Sequence, residues 1–268
     1  MTIMVHNMEG YIKFVKEGIK KFREWYQPID FGYGIIAHVQ EFPDYIPKPE
    51  FMGNKLRGMS KWNFIIKPNL PDVRGMRILD LGCNAGLYSV QLAMNGAKEV
   101  IGIDRGPDIY QKSNPGLCRQ DVISQAEFVK KAFEIRTGKK LNIKFIRWDI
   151  GRLDELNLGK FDLVLALCVV YHEMRKMPMI LETLASMSNL IMLQTNLLHR
   201  GRLGKWASVE THVKVMTILG FDVRIDEGEP GYPMPLMICT KRKGGKQKRV
   251  GLLSKKFRLL LIKIRNMI

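Results

Sequence analysis

The stretch R77-I-L-D-L-G-C-N-A-G-L-Y-S-V90 decides the fold. An apolar run, Ile78 and Leu79, leads into a carboxylate, Asp80. Gly82, Cys83, Asn84 and Gly86 follow, and an apolar pattern resumes at Leu87. A strand, a tight turn of small residues and a helix start are written in this order. Such a turn could hold a phosphate, a nucleoside or nothing.

Working outward, strand-like runs recur at 77–81, 99–103, 143–147, 161–170 and 190–197. Helix-like segments lie between them at 87–95, 122–137, 178–187 and 206–219. This alternation predicts an α/β fold: a Rossmann-like, mostly parallel sheet with helices on both faces. Two further strands, 221–225 and 235–240, are joined by too few residues for a crossover helix. A hairpin is expected there, with a final antiparallel strand. Upstream, apolar spacing predicts a helix over 8–26. Residues 27–50 carry Pro28, Pro43, Pro47 and Pro49, which reads as an irregular lid or entrance loop. A short helix is expected at 61–66. The division that follows is an N-terminal helical and lid segment (1–70), a nucleoside-binding domain (71–243) and a tail (244–268).

A chain of 268 residues with 46% hydrophobic residues can bury a substantial core. The four cysteines include no C-x-x-C pair, which argues against a disulfide framework and a structural zinc site; no metal is expected. No apolar run reaches a membrane span and no signal peptide is evident, so a cytoplasmic protein is expected. The net charge of +17 is concentrated at one end. Residues 241–268 hold eleven Lys and Arg and no acid; subtracting them from +17 leaves +6 for residues 1–240. Within this tail Leu253, Phe257, Leu260, Leu261 and Ile264 share one helical face, and Lys255, Lys256, Arg258 and Lys263 fall on the other. Such a segment suits an anionic surface, a tRNA backbone, a partner or the parent domain. A membrane-bound form would be peripheral, at the inner face.

The turn itself discriminates among ligands. A P-loop needs G-x-x-x-x-G-K-[ST], and no Lys-Ser or Lys-Thr follows here. A dinucleotide turn needs G-x-G-x-x-G, and the glycine spacing differs. NAD therefore stands as an alternative cofactor. The pattern D80-L-G82-C-N84-A-G86 resembles the acidic, glycine-rich signature of class I S-adenosylmethionine (SAM) methyltransferases, with Asn84 in place of the middle glycine. Asn tolerates left-handed backbone angles, so the turn can survive. Asp104, at the end of E-V-I-G-I-D, suits ribose hydroxyls of either cofactor. The resemblance implies that Asp149 and Ile150, after the next strand, contact adenine. The run F-D-L-V-L-A-L-C-V-V-Y171-H172 ends in aromatic and titratable groups where an acceptor should meet the methyl group.

The pieces S60-K61-W62, L-D80-L-G-C-N-A-G, G102-I-D104 and V-V-Y171-H172 also resemble, in the same order, the bacterial tRNA wobble-uridine carboxymethyltransferases, over roughly 55–225. That likeness implies that Lys61, Leu167 and Tyr171 contact the cofactor, with Lys61 and Tyr171 at the extra carboxylate of carboxy-SAM. Trp62 is expected beside them, possible lid material with His38. The sequence departs from that family in having Leu56 in place of its tryptophan and no matching late arginine near P-G-Y-P-M-P-L-M. Reading a buried carboxylate normally takes a paired cation, so ordinary SAM and methyl transfer are favoured over carboxymethyl transfer. His172 is the first candidate base, followed by Glu173 and Tyr171. His199, Arg200, Arg202 and Lys205 form a candidate grip for an anionic substrate. The expected reaction is methyl transfer to a small-molecule or lipid-like acceptor; tRNA modification and a plain NAD-binding module are the alternatives.

Overall fold

The computed structural model describes residues 2–22, 25, 28–37, 59–105, 121–195, 204, 207–228 and 234–243. The sheet region contains β3 (Arg77–Leu81), α3 (Leu87–Met94), β4 (Glu99–Asp104), α4 (Val122–Thr137), β5 (Ile143–Arg147) and β6 (Leu163–Leu167). It continues with α5 (Met177–Met187), β7 (Leu190–Gln194), α6 (Val209–Ile218), β8 (Phe221–Asp226) and β9 (Leu236–Lys241). Ahead of it lie α1 (Thr2–Lys20), a two-stranded ribbon of β1 (Ile29–Asp30) and β2 (Ile36–Ala37), and α2. The last comprises a turn at Met59–Lys61, a π-helix at Trp62–Ile66 and a 3-10 turn at Lys67–Asn69.

The seven-stranded sheet has the order β5-β4-β3-β6-β7-β9-β8. Five strands are parallel, because helices or long segments carry the chain back between them. The short connection after Asp226 provides no such return. β9 therefore pairs antiparallel with β8, and it also inserts antiparallel against β7. The expected hairpin is present; its insertion between β7 and β8 is a feature that strand patterns alone do not give. From β3 the chain steps outward to β4 and β5, then returns to place β6 on the other side of β3. In an open α/β sheet, such a reversal opens a crevice at the carboxyl ends of the strands.

Two apolar cores cover the faces. One joins Ile78, Leu163 and Val100 to side chains from α1, α3 and α4. The other joins Leu79, Ile101 and Val164 to α5 and α6. Both faces are sealed, as the near-continuous apolar strands require. Local chemistry sets the helix ends. Asp121 caps α4 by accepting from the Ser124 amide at 3.1 Å, and Gly138 closes it at φ +66°. Ser208 caps α6 by accepting from the Thr211 amide.

The first 37 residues differ most from expectation. The helix runs over Thr2–Lys20 and not 8–26, and Ile29–Ala37 forms a ribbon where an irregular segment is expected. Tertiary packing explains both. Trp25 and Phe31 must turn back to meet Phe128 of α4, with ring centroids 6.2 and 5.6 Å away. Tyr11 Oη donates to the Phe31 carbonyl at 2.6 Å, fastening the ribbon to α1. Tyr11, Val15, Trp25, Ile29 and Phe31 thus contribute to the same core as the sheet. The rest of the proline-rich segment, including His38, lies outside the described residues, as does the amphipathic tail from 244.

Gly18 faces Phe128 so closely that an added Cβ would lie 1.9 Å from its ring. Gly18→Leu should therefore lift α1 from α4 and destabilise the protein by ~1–3 kcal/mol. A lower thermal midpoint by circular dichroism checks this.

Candidate active site at the carboxyl edge of the sheet

The β3–α3 turn is shaped by missing side chains. Gly82 has φ +76°, and a Cβ there would lie 2.6 Å from Val169 Cγ2. Gly86 has φ +75°, and a Cβ there would lie 2.7 Å from Phe145 Cζ and 2.9 Å from Ala126. Asn84 adopts φ +50°, as the substitution for glycine anticipates, and its Oδ1 accepts from the Ala85 amide at 2.7 Å. The amides of Gly82 and Cys83 both donate to the Ile103 carbonyl, tying the turn to β4. α3 then starts at Gly86 without a side-chain cap.

Acidic groups come to this turn from neighbouring strands. Asp104 Oδ2 accepts from the Asn84 amide at 3.0 Å. The Asp104 carbonyl accepts from Trp148, which places Trp148 and Asp149 beside the end of β4. Asp149 Oδ1 accepts from the Gly151 amide at 2.8 Å and opens a short 3-10 turn, Ile150–Glu155. Asp80 is 2% exposed and accepts from Ser89 Oγ at 2.6 Å. Burial pushes its carboxyl up to about 6; the Ser89 hydroxyl opposes this, Asp104 adds to it, and Lys61 opposes it.

The other wall comes from β6 and α2. Cys168 follows β6 at φ +58°, and its thiol contacts Gln194 Oε1 at 3.5 Å and Met234 Sδ at 3.7 Å. Burial raises the Cys168 pKa; Lys61 and a hydrogen bond with Tyr171 act against it. Tyr171, 1% exposed, sits in a 3-10 turn with His172 and Glu173. The Tyr171 and His172 rings lie 4.5 Å apart. Glu173 Oε1 pairs with Arg105 at 3.3 Å, joining this turn to the end of β4. Lys61 is itself buried, its ammonium 5.7 Å from the Tyr88 ring centre. Trp62 is 1% exposed and stacks on the same ring at 6.2 Å.

Lys61, Trp62, Asp80, Gly82, Asn84, Gly86, Asp104, Tyr171 and His172 are thus held on the edge side of β3, β4 and β6. The side chains of two expected residues lie in the cores. The Cys83 side chain is 3% exposed in the first core beside Gly102, so only its backbone belongs to the turn. Ile150 is 6% exposed in the second core. Leu167 is half-buried against the first. Ser89, Tyr88, Cys168 and Gln194 are additional residues at the site. Ser89 and Gln194 interrupt apolar runs, a signal that could have found them; nothing in sequence marks Cys168 as left-handed. His199, Arg200, Arg202 and Lys205 lie outside the described residues. Among the described residues, no cluster of His, Cys, Asp or Glu is suited to a metal ion.

Because the folded Asp80 carboxyl titrates near 6 against 3.8 ordinarily, the native protein retains a proton that the unfolded chain has lost between about pH 4 and pH 6. Stability falls as pH rises through this window, and the full cost, about 3 kcal/mol, is present above it. Asp80→Asn should therefore raise the unliganded thermal midpoint by ~3–8 °C at pH 7.5, with the gain fading towards pH 4. Differential scanning calorimetry across pH checks this.

Residues 72–200 match the family model described as a methyltransferase domain. The O-antigen chain terminator bifunctional methyltransferase/kinase WbdD of Escherichia coli is 35% identical over 99 residues, 37% of this chain and 11% of that protein. The tRNA U34 carboxymethyltransferase of Helicobacter acinonychis is 29% identical over 144 residues, 52% of this chain and 47% of that protein. The chain thus spans less than half the length of these relatives. Among solved structures, WbdD with a kinase inhibitor superposes with a TM-score of 0.56 at 18% identity, covering 84% of this chain and 47% of that one. The N-terminal domain of EvdMO1 with S-adenosylhomocysteine and D-fucose gives 0.54 at 17% identity, covering 85% and 95%. The glycine-limited turn and the acidic strand ends at 80, 104 and 149 all lie within the stretch that matches the methyltransferase-domain model, and these solved structures share its fold.

Proposed function

We propose that this chain transfers a methyl group from SAM to a small-molecule or lipid-like acceptor. The observation that carries the reading is the Asn84–Asp104 contact at a turn too narrow for side chains at positions 82 and 86. Asp104 is assigned to the ribose hydroxyls, and Asp149 with the start of its 3-10 turn to the adenine. The uncapped start of α3 offers amides to the carboxylate of the methionine moiety. Asp80 favours the cationic end of the same ligand. Its buried charge, unfavourable in the empty protein, gains a partner when that ligand binds.

Methyl transfer from a sulfonium is an in-line displacement with a good neutral leaving group. The residues supply position and exclusion of water; a base is needed only where the acceptor loses a proton. His172 is the assigned base. It follows β6, its amide donates to the Val169 carbonyl, and its ring leans on Tyr171. Glu173, already paired with Arg105, holds the turn rather than accepting the proton. Tyr171 lines the cofactor side.

A second reading draws support from Lys61. A buried ammonium beside a sulfonium is repulsive unless an anion lies between them. Lys61 and Tyr171 both act on the Cys168 thiol, and Lys61 suits the extra carboxylate of carboxy-SAM and a carboxymethyl transfer, or an anionic acceptor. The likeness to tRNA U34 carboxymethyltransferases favours tRNA as acceptor in that case, whereas the likeness to an O-antigen chain terminator favours a glycan or lipid-like one. Product mass distinguishes one added methyl from one added carboxymethyl.

Among the described residues no helix is long and apolar enough to cross a membrane. We assign a cytoplasmic location, peripheral at the inner face of the membrane, on the alternation of Leu, Ile and Phe with Lys and Arg after residue 250.

Isothermal titration should give saturable heat with SAM and S-adenosylhomocysteine, and Asp104→Lys should weaken both at least about tenfold, a loss of ~1.4 kcal/mol or more. No heat with either ligand would overturn the reading. Removing residues 244–268, which spares β9, should abolish flotation with anionic liposomes while leaving cofactor affinity within about twofold. Loss of tRNA binding with a steep salt dependence would instead assign the tail to RNA.

A further inference from the structure

The residues that deliver Lys61 and Trp62 are held by a side chain far from the ligand. α2 changes geometry twice in eleven residues. After one turn it widens, with the Lys67 amide donating to the Trp62 carbonyl five residues back, and then tightens into a 3-10 turn. Continuing the wide ladder would send the Leu70 amide to the Ile65 carbonyl; it donates to Lys67 instead, at 3.2 Å. The Asn69 side chain reaches that carbonyl, with Nδ2 donating to Ile65 O at 2.9 Å.

Asn69 is in turn fixed by the edge strand. Its Nδ2 donates to Asp226 Oδ2 at 2.5 Å, and its Oδ1 accepts from Arg224 Nη2 at 2.9 Å. The amide therefore uses both donor and acceptor in one orientation. Two of its three bonds reach charged groups, which makes them stronger than neutral ones. The Asn69 bond and the Gly228 amide hold the Asp226 carboxyl below its ordinary range, so it is ionised at neutral pH. Short π-helical turns are rare and recur at functional sites, where the surroundings must enforce them.

The consequence lies at the other end of α2. Lys61, Trp62, Ile65 and Ile66 are buried while Asn63 and Phe64 are exposed, so one face carries all the inward contacts. Ile65 and Ile66 pack in the first core. Trp62 and Lys61 meet Tyr88, one residue before Ser89, which bonds Asp80. Rotation of the π turn would shift the Trp62–Tyr88 stack and the Lys61 ammonium together.

We infer that Asn69, clamped by Asp226 and Arg224 of β8, is a positioning residue for the cofactor pocket, fixing the π turn that brings Lys61 and Trp62 to the sheet edge. This rests on the proposed reading of that pocket as the SAM site. It also gives the C-terminal hairpin a role: the inserted β9 places β8 at the sheet edge, and β8 carries the two charged ends of the clamp.

The test is titration of the full chain with S-adenosylhomocysteine, with the unliganded thermal midpoint followed alongside. Asn69→Ala should weaken binding about five- to thirtyfold, the loss expected when its bonds to the Ile65 carbonyl and to two charged groups are removed. Asp226→Asn, which keeps an acceptor for Asn69, should bind within about twofold of the unaltered protein, and Asp226→Ala should not. In a background carrying both Lys61→Met and Trp62→Ala, Asn69→Ala should add less than about twofold, because its effect passes through the two residues already removed. Equal losses in both backgrounds would mean general destabilisation and overturn the clamp; so would an Asn69→Ala protein of unchanged affinity. If Asn69→Ala yields no folded protein, Asp226→Ala carries the same cycle. An unaltered protein that takes up no S-adenosylhomocysteine overturns the proposed cofactor itself, whereas binding that is insensitive to these substitutions overturns only the clamp.

Discussion

The chain can pass from β3 into α3 by only one route, because Val169 stands against position 82 and Phe145 and Ala126 stand against position 86. Everything at the carboxyl edge depends on that squeeze. Glycine satisfies it at both places, and Asn84 takes a left-handed conformation between them. With the turn set, the Asn84 amide faces Asp104, the Gly82 and Cys83 amides meet Ile103, and α3 begins at Gly86 without a side-chain cap. The reversal between β3 and β6 opens the crevice, and the turn supplies its floor.

The electrostatics of that crevice are unfavourable to the empty protein. Asp80 is buried beside Asp104, and its carboxyl is pushed up to about 6 in spite of a serine hydroxyl and a nearby lysine. Lys61 is buried in the same region. Under the proposed function, a zwitterionic sulfonium ligand offers groups of both signs to Asp80 and Lys61. In that reading, cost to the fold and gain to the ligand come from the same residues.

Support for this edge comes from parts of the chain that are distant in sequence. α1 and the β1–β2 ribbon brace α4 through the aromatic group around Phe128, and Phe145, packed near α4, limits Gly86. On the other side, β8 holds Asn69, and through it the segment bearing Trp62. The N-terminal and C-terminal elements thus frame the methyltransferase domain from opposite ends of the sheet.

The sequence by itself determined the alternation of strands and helices. The runs 77–81 and 143–147 and the helix 122–137 are legible because apolar periodicity, an Asp cap and a closing glycine are local signals. It also determined the acids at 80, 104 and 149 and the glycines at 82 and 86, because one turn and successive strand ends impose their spacing. Only the tertiary structure decided where α1 stops, since Trp25 and Phe31 answer to Phe128 about a hundred residues away. It alone placed β9 between β7 and β8, put Cys168 in a left-handed conformation, turned the Cys83 thiol into the core and joined Asn69 to Asp226. Each of these is a contact between surfaces remote in sequence, and no local propensity or period carries information about what lies across such a contact.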